Sequence, residues 1–163
     1  FFLPDSSQFY FNDLPGVKYM RCIPNVGHGL NLDAYTNVWS YYQSIILKTP
    51  LPQFTWTLQS SNTVRVVASD APSSVTLWQA TTTTTNRDFR ITTIGAAWTS
   101  TTLTDQGGGV YLGAVSNPAQ GAWKAFYAEL IYNRSPLQPL KFTTQVYVVP
   151  DTLPGTWPPP PTP

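Results

Sequence analysis

The residue in this sequence best suited to proton transfer is His28, the only histidine of the chain. It lies between Gly27 and Gly29 in the segment IPNVGHGL, residues 23–30. An imidazole gains and loses a proton near neutral pH, so a histidine can be the general base that activates a serine hydroxyl. The two glycines allow the sharp backbone turn that would point the ring at such a serine. By its spacing alone, His28 is either this proton carrier or an ordinary turn residue.

The segments around His28 predict the elements that hold its loop. Residues 4–16 predict a short helix, because Asp5 begins a capping-box pattern there. Residues 17–23 alternate apolar and polar side chains, which predicts a strand. From residue 31 to 49 apolar residues recur at helical spacing, which predicts a long amphipathic helix. Its apolar face would need a sheet to cover it, or would cover the following domain, or would stay exposed. We expect residues 1–50 to be the less stable half of the chain.

A histidine on a loop between a strand and a long helix is typical of an α/β-hydrolase, where the general base follows a strand of a parallel sheet. Residues 1–50 are therefore predicted to be the carboxyl-terminal segment of an α/β-hydrolase-like domain. The acid that orients such a histidine is expected at or before Phe1. Asp5 is the candidate acid within the chain, although helix capping already accounts for it. A serine nucleophile between glycines is absent from the sequence and is expected upstream of residue 1.

Residues 51–152 have the pattern of an all-β domain. Runs rich in β-branched and aromatic residues alternate with turn residues, which predicts roughly seven strands in an antiparallel sandwich of immunoglobulin or fibronectin type. The runs are residues 54–59, 63–69, 74–82, 109–115, 123–132 and 141–149. Residues 153–163 are rich in proline and predict a polyproline II linker or tail. The predicted fold class is thus an α/β fragment followed by an immunoglobulin- or fibronectin-like sandwich.

Composition excludes several kinds of partner. The net charge is +1 and 10% of the residues are charged, so we expect no nucleic-acid partner. One histidine and a lone cysteine, Cys22, predict no metal site and no internal disulfide, and we expect no cofactor. The glycines at 107–109 precede a predicted strand rather than a helix, which favours a turn over a phosphate loop. No apolar run is long enough to span a bilayer.

Other features bear on location and surface. The Ser/Thr-rich, weakly charged sequence favours an extracellular or cell-surface location. Asn133 begins an N-glycosylation pattern, although the proline that follows the pattern disfavours its use. The charged group Arg87, Asp88 and Arg90 is expected to lie at the surface, paired or solvated.

Five blocks of the sequence resemble the carboxyl-terminal part of one protein family. The blocks are residues 1–16, 19–30, 87–100, 123–130 and 142–154. They are similar to the PhoPQ-activated pathogenicity-related protein family, which includes secreted autocrine proliferation repressor proteins. The resemblance implies an α/β-hydrolase-like catalytic domain followed by a β-sandwich, in extracellular or cell-surface proteins. It also implies that His28 matches the triad histidine of the family.

Three function classes remain open. The favoured one is a secreted serine hydrolase, an esterase or peptidase acting on small ester or peptide substrates, with an accessory β-sandwich; residues 1–163 alone are then expected to be inactive. The second is a non-catalytic secreted signalling or growth-repressing ligand. The third is an adhesion or binding module for a cell-surface protein or carbohydrate. Tryptophans that could stack on sugars are more typical of core packing here. They are Trp56, Trp78, Trp98 and Trp123.

Overall fold

The computed structural model describes residues 2–82 and 86–154, and these residues form mainly antiparallel β-structure. The strands are β1 Phe54–Ser60, β2 Thr63–Ala68, β3 Ser74–Thr81, β4 Thr99–Leu103, β5 Val110–Ala114, β6 Lys124–Arg134, β7 Leu137–Thr143 and β8 Tyr147–Val149. The α-helices are α1 Leu32–Ile46 and α2 Ile91–Ile94. Two 3-10 helices, Ser6–Phe9 and Phe11–Asp13, precede them. Part of the threonine run (83–85) and most of the proline-rich tail (155–163) lie outside the described residues.

The strands form two sheets with a shared core. One sheet has the order β1-β2-β5, and the other has the order β4-β3-β6-β7 with β8 also paired to β6. β2 alternates strictly, with Val64, Val66 and Ala68 buried and the residues between them partly exposed. A strand with this period-2 pattern has one face on a core and the other toward solvent. Its buried face meets side chains of β3 and β6, so the two sheets face each other as in a sandwich.

The strand at the centre of the larger sheet is buried on both faces. In β6 every residue from Ala125 to Leu130 is buried. Phe126, Ala128 and Leu130 join the core between the sheets, whereas Ala125 and Tyr127 join a second cluster on the opposite face. This second cluster also contains Phe89, Trp98, Val146 and Val148. Phe89 and Trp98, from the segment before β4, therefore cover the outer face of the larger sheet. Cys22, at the start of the His28 loop, packs against the same cluster.

The prediction that residues 1–50 are a fragment of an α/β-hydrolase-like domain is wrong for the described structure. Every strand pair in residues 2–82 and 86–154 is antiparallel, and no α/β-hydrolase core is evident there. The predicted strand 17–23 makes one isolated bridge, between Met20 and Thr143. The alternation of apolar and polar residues in this segment has another cause. The segment is extended, lies along β7 and packs on side chains of β7. Tyr19, for example, stacks on Phe142 with ring centroids 4.3 Å apart.

The predicted helix at residues 4–16 is replaced by the two 3-10 helices. Asp5 makes no capping hydrogen bond to the backbone there. Its carboxylate is almost completely buried and forms an ion pair with Arg87, which is buried as well. The expectation that Arg87 lies at the surface is therefore wrong, whereas Asp88 and Arg90 do form a partly exposed pair. The buried pair joins the start of the chain to the segment after β3.

Helix α1 is present as predicted, but it presents its apolar side chains to solvent. It ends at Ile46, and Asn31 caps its first turn by accepting a hydrogen bond from the Ala34 amide at 2.9 Å. The apolar side chains that remain exposed are Leu32, Tyr35, Val38, Trp39, Tyr42, Ile45 and Ile46. The face that packs on β7 is small and polar, with Ala34, Asn37, Ser40 and Ser44 buried. No helix in the described ranges is long and apolar enough to cross a membrane.

Polar contacts attach this helix to β7 and β6. Asn37 accepts a hydrogen bond from the Lys141 amide at 2.7 Å, and Ser40 donates to the Gln138 carbonyl at 2.8 Å. Asp33 pairs with Lys141 and with Arg21. Burial alone would raise the pKa of Asp33, but the hydrogen bonds from these two cations outweigh it and lower the pKa.

The division of the chain into units 1–50, 51–152 and 153–163 stays a prediction.

Candidate functional site

A cavity of about 310 Å³ lies beside the His28 loop. One wall is the loop itself, from Cys22 to His28, and the opposite wall is the segment Phe89 to Thr92 with the start of α2. Its floor is the outer face of the larger sheet, where Trp98, Tyr127 and Val146 lie. Small-molecule sites are commonly clefts of this size, on the order of 300 Å³ or more.

Two asparagines hold the ends of the loop. Asn25 has φ of 56°, a left-handed conformation that asparagine tolerates better than most residues. Its side chain donates to the Trp98 carbonyl and accepts from the Trp98 amide, both at 2.9 Å. On the other side, Asn31 caps α1. Between these fixed points His28 lies exposed in a bend and is one of the residues that line the cavity.

Asp5, the candidate acid of the sequence, is engaged elsewhere. Its Oδ2 accepts hydrogen bonds from Arg87 and, at 3.0 Å, from the Gln8 side chain. A carboxylate that neutralises a buried guanidinium is held by that charge, because separating them would leave both charges buried and unpaired. This arrangement favours a structural role for Asp5.

The walls of the cavity carry little uncompensated charge. Burial raises the pKa of the Cys22 thiol, so Cys22 is neutral and a poor nucleophile, as expected of a structural cysteine. Burial is also the main cause of the raised pKa of Tyr127. Arg90 is paired with Asp88, and hydrogen bonds from Arg90 lower the pKa of Asp88 to about 2. Both partners of this pair stay ionised throughout the physiological range.

Other sites that the sequence raised have structural roles. The glycine-rich turn at 107–109 is folded around Asp105, whose carboxylate accepts the amides of Gly107, Gly109 and Val110. Its amides are thus already used, which confirms a turn rather than a phosphate loop. Trp98 is buried, and Trp56, Trp78 and Trp123 pack against the two clusters, as expected of core residues. Within residues 2–82 and 86–154, no group of three or more His, Cys, Asp and Glu is placed to hold a metal ion.

Two residues of the cavity were not singled out from the sequence. Tyr127 lies in the run Ala125–Ala128 of β6, where nothing in the sequence distinguishes it from its buried neighbours. Asn25 could have been noticed, since an asparagine after proline is a common left-handed turn residue. Its pairing with Trp98, 73 residues away, could not.

Comparison with known proteins supports the family resemblance that five blocks of the sequence indicated. The model of the family described as PhoPQ-activated pathogenicity-related protein matches residues 1–90. The chain belongs to this family. A relative in the curated proteins, Autocrine proliferation repressor protein A of Dictyostelium discoideum, is 34% identical over 181 aligned residues. The alignment covers 94% of this chain and 36% of the relative, so the chain spans roughly a third of that relative's length.

The family resemblance inferred from the sequence is thereby confirmed. No solved structure matches the chain significantly. The match to the PhoPQ-related family includes the His28 loop and helix α1, and it ends at Arg90 beside the cavity. The His28 loop therefore lies within the matched segment, whereas the match ends inside the other wall, between Arg90 and Ile91.

Proposed function

We propose that His28 is the general base of a serine hydrolase formed by the longer protein to which this chain corresponds. The observation that carries the proposal is the position of the chain's histidine on an exposed glycine-flanked bend at the edge of a 310 Å³ cavity. A base in this position is accessible to a serine from another part of the protein, and the cavity next to it offers space for an acyl group. The strands from residue 51 onward then form an accessory unit.

The reaction would be acyl transfer. The serine oxygen attacks the carbonyl carbon of an ester or peptide while His28 takes the hydroxyl proton, and the imidazolium then returns a proton to the leaving group as the acyl bond breaks. Water, deprotonated by the same imidazole, then attacks the carbonyl carbon of the acyl-enzyme; the bond to the serine oxygen breaks, the imidazolium returns its proton to that oxygen, and the acid is released. General base catalysis of this kind contributes on the order of 10²–10⁴-fold. The serine and the acid that orients the imidazole would come from outside residues 1–163.

Labelling of the full-length protein with a fluorophosphonate probe tests this proposal. We expect wild type to be labelled, and we expect labelling to be lost in His28→Ala. Leu30→Ala is a matched control, because Leu30 is an exposed residue on the same loop. It should retain wild-type labelling. Absence of labelling in a folded wild-type protein, or full labelling of His28→Ala, would show that His28 is not the general base of a serine hydrolase.

The second candidate is a secreted, non-catalytic growth-repressing ligand. Two observations favour it: the name of the relative, Autocrine proliferation repressor protein A, and the exposed apolar face of α1. Extracellular action also agrees with the weakly charged, Ser/Thr-rich sequence. Purified full-length wild type and His28→Ala would be added to the medium of growing producer cells, and doubling time measured. Equal slowing by both proteins supports the ligand, whereas loss of the effect in His28→Ala supports the hydrolase.

A further inference from the structure

One wall of the cavity beside His28 is built by the part of the chain that forms the sandwich. Phe89, Ile91 and Trp98 line the cavity, and all three lie between strands β3 and β4. Trp98 Nε1 donates to the Phe89 carbonyl at 3.2 Å, and both rings are buried. This part of the wall is therefore fixed before any ligand enters. The β-rich part of the chain contributes directly to the space next to the candidate base.

Ile91 approaches the histidine loop at the residue before His28. A Cβ added at Gly27 would lie 3.9 Å from Ile91 Cγ2, which is ordinary van der Waals contact. The two walls of the cavity therefore meet at this point. Ile91 is only partly buried, whereas Phe89 and Trp98 are buried. Its side chain is thus placed to limit the width of the cavity next to His28.

The lining favours an uncharged, apolar group. Most of its side chains are apolar, and Ile23, Val26 and Ile91 are examples. The Arg90 guanidinium also lines the cavity, but it donates three hydrogen bonds to the Asp88 carboxylate, which compensates its charge. A charged ligand group would lose its hydration without gaining an uncompensated counter-charge from this pair.

The volume of the cavity limits the length of such a group. A methylene takes about as much space as a water molecule in the liquid, roughly 30 Å³. A cavity of about 310 Å³ therefore has room for a chain of up to about ten non-hydrogen atoms. An acetyl group would leave most of this space empty.

We propose that this cavity is the acyl-binding site of the proposed hydrolase, that it takes an uncharged aliphatic acyl chain of medium length, and that Ile91 sets the size of this chain. The inference rests on the proposed function, since the acyl carbonyl must react beside His28. It adds the substrate class and a specificity-determining residue. It also gives the β-rich part of the chain a role in substrate selection.

The test measures kcat/KM of the full-length protein for three p-nitrophenyl esters: the acetate, the hexanoate and the monoadipate. The adipate carries a carboxylate where the hexanoate has its terminal methyl group. The rate of His28→Ala is subtracted, so that only hydrolysis that depends on His28 is compared. The hexanoate should exceed the acetate by at least tenfold, because each buried methylene contributes up to about fourfold. The hexanoate should also exceed the adipate by at least tenfold, because the carboxylate would be desolvated.

Variants of Ile91 test its role. Ile91→Trp should lower kcat/KM for the hexanoate by at least fivefold and leave the acetate within about twofold, because the larger ring occupies the space of the longer chain. Ile91→Ala should instead raise kcat/KM for the p-nitrophenyl decanoate relative to the hexanoate. Ile94→Trp is the matched control, since Ile94 lies on the same short helix and is also partly buried but does not line the cavity. It should keep the wild-type preference.

Failure of this inference and failure of the proposed function give different results. Equal His28-dependent rates for the three esters, or a hexanoate preference unchanged in both Ile91 variants, would overturn this inference and leave His28 as the base. A preference for the adipate would show a charged subsite at Arg90 and would overturn it as well. A folded wild type that hydrolyses none of the esters and is not labelled by the fluorophosphonate would overturn the proposed function, and the acyl site with it.

Discussion

Arg134 is one of the groups that attach helix α1 to the sheet, and replacing it should weaken the docking of the helix. Arg134 at the end of β6 donates to the Ser44 hydroxyl at 2.7 Å and to the Ser40 carbonyl at 3.1 Å. It donates to the Ser40 hydroxyl as well. Both serines are almost completely buried, at 0% and 1% exposure. Arg134→Met retains much of the aliphatic stem but removes these three bonds and a longer one to the Gln138 carbonyl at 3.3 Å.

The size of the effect follows from these contacts. Hydrogen bonds to a charged group contribute roughly 1.5–3 kcal/mol each, so three of them could contribute several kcal/mol. Part of this is offset, because burial disfavours the guanidinium charge, as the lowered pKa of Arg134 indicates. The serine hydroxyls also keep their own acceptors, the Gln138 and Ser40 carbonyls. We therefore expect the docking of α1 to weaken by about 2–4 kcal/mol.

Hydrogen exchange measures this locally. The helical amides of residues 32–46 should exchange roughly 30-fold faster or more in Arg134→Met, since each 1.4 kcal/mol is about a factor of ten. Amides of β3 and β6 should change much less. Arg65→Met is the control, because Arg65 lies on the outward side of β2 and is only partly buried. Its effect should stay within about 0.5 kcal/mol. If α1 exchanges equally in both variants, Arg134 does not hold the helix.

Three further predictions concern other parts of the molecule. Gly109→Ala should destabilise the protein by more than about 2 kcal/mol in urea unfolding, because an added Cβ would lie 2.3 Å from the Ala68 carbonyl oxygen at a φ of 77°. Gly108→Ala, also at positive φ but facing open space, should cost clearly less. The pKa of Asp88 is lowered to about 2, below its unfolded value, so its pairing stabilises above about pH 4 and is lost as the pH falls toward 2. Wild type should exceed Asp88→Asn in stability at pH 7 and lose this advantage at pH 2; an unchanged difference would contradict the pairing. The exposed face of α1 should bind the dye anilinonaphthalene sulfonate, and the double change Trp39→Gln with Tyr42→Gln should at least halve the fluorescence. Unaltered fluorescence would place the dye elsewhere.

Local sequence patterns predicted most of the β-strands well. They failed for a strand that is exposed and is held mainly by backbone hydrogen bonds to its neighbour. Strands such as β2 and β3 begin and end within a residue or two of their predicted limits, since alternation and turn residues are encoded locally. β4 was missed because its sequence, TSTTL, is almost entirely exposed and shows no alternation. Its backbone is held by pairing with β3, which local sequence does not reveal.

The predicted strand at 141–149 is in fact divided between β7 and β8. The residues between them, Thr144, Gln145 and Val146, are buried like their neighbours, so burial continues across the break. Thr144 hydrogen-bonds through its amide to the Ala128 carbonyl, and its hydroxyl accepts from the Ala128 amide. A contact between residues 16 positions apart ends the strand here. The spacing of apolar residues in the sequence does not reveal such a long-range contact.

Of the candidate site, the sequence identified His28 and the length of α1 but not the surface on which either lies. The amphipathic pattern of α1 left open whether its apolar side meets a sheet, covers the following domain or stays exposed; in the described structure it stays exposed, and the side formed by Ala34, Asn37 and Ser40 docks on the sheet. Burial area alone would favour the opposite orientation, so the polar contacts from β7 and Arg134 must decide it.

This orientation also fixes the candidate base. The cap of α1 at Asn31 follows His28 by three residues, so the anchored helix sets where the loop must end. The pairing of Asn25 with Trp98 sets where the loop begins, and Trp98 contacts Tyr127 on the floor of the cavity. The loop is thus anchored by polar contacts at both of its ends, Asn25 to Trp98 and Asn31 to the first turn of α1. Because Trp98 also contacts Tyr127, the start of the loop and the floor of the cavity are held by the same residue. The apolar side chains of α1 are left exposed on the element that directly follows the His28 bend, so the same polar anchoring that fixes the loop also leaves this apolar surface uncovered in the described residues.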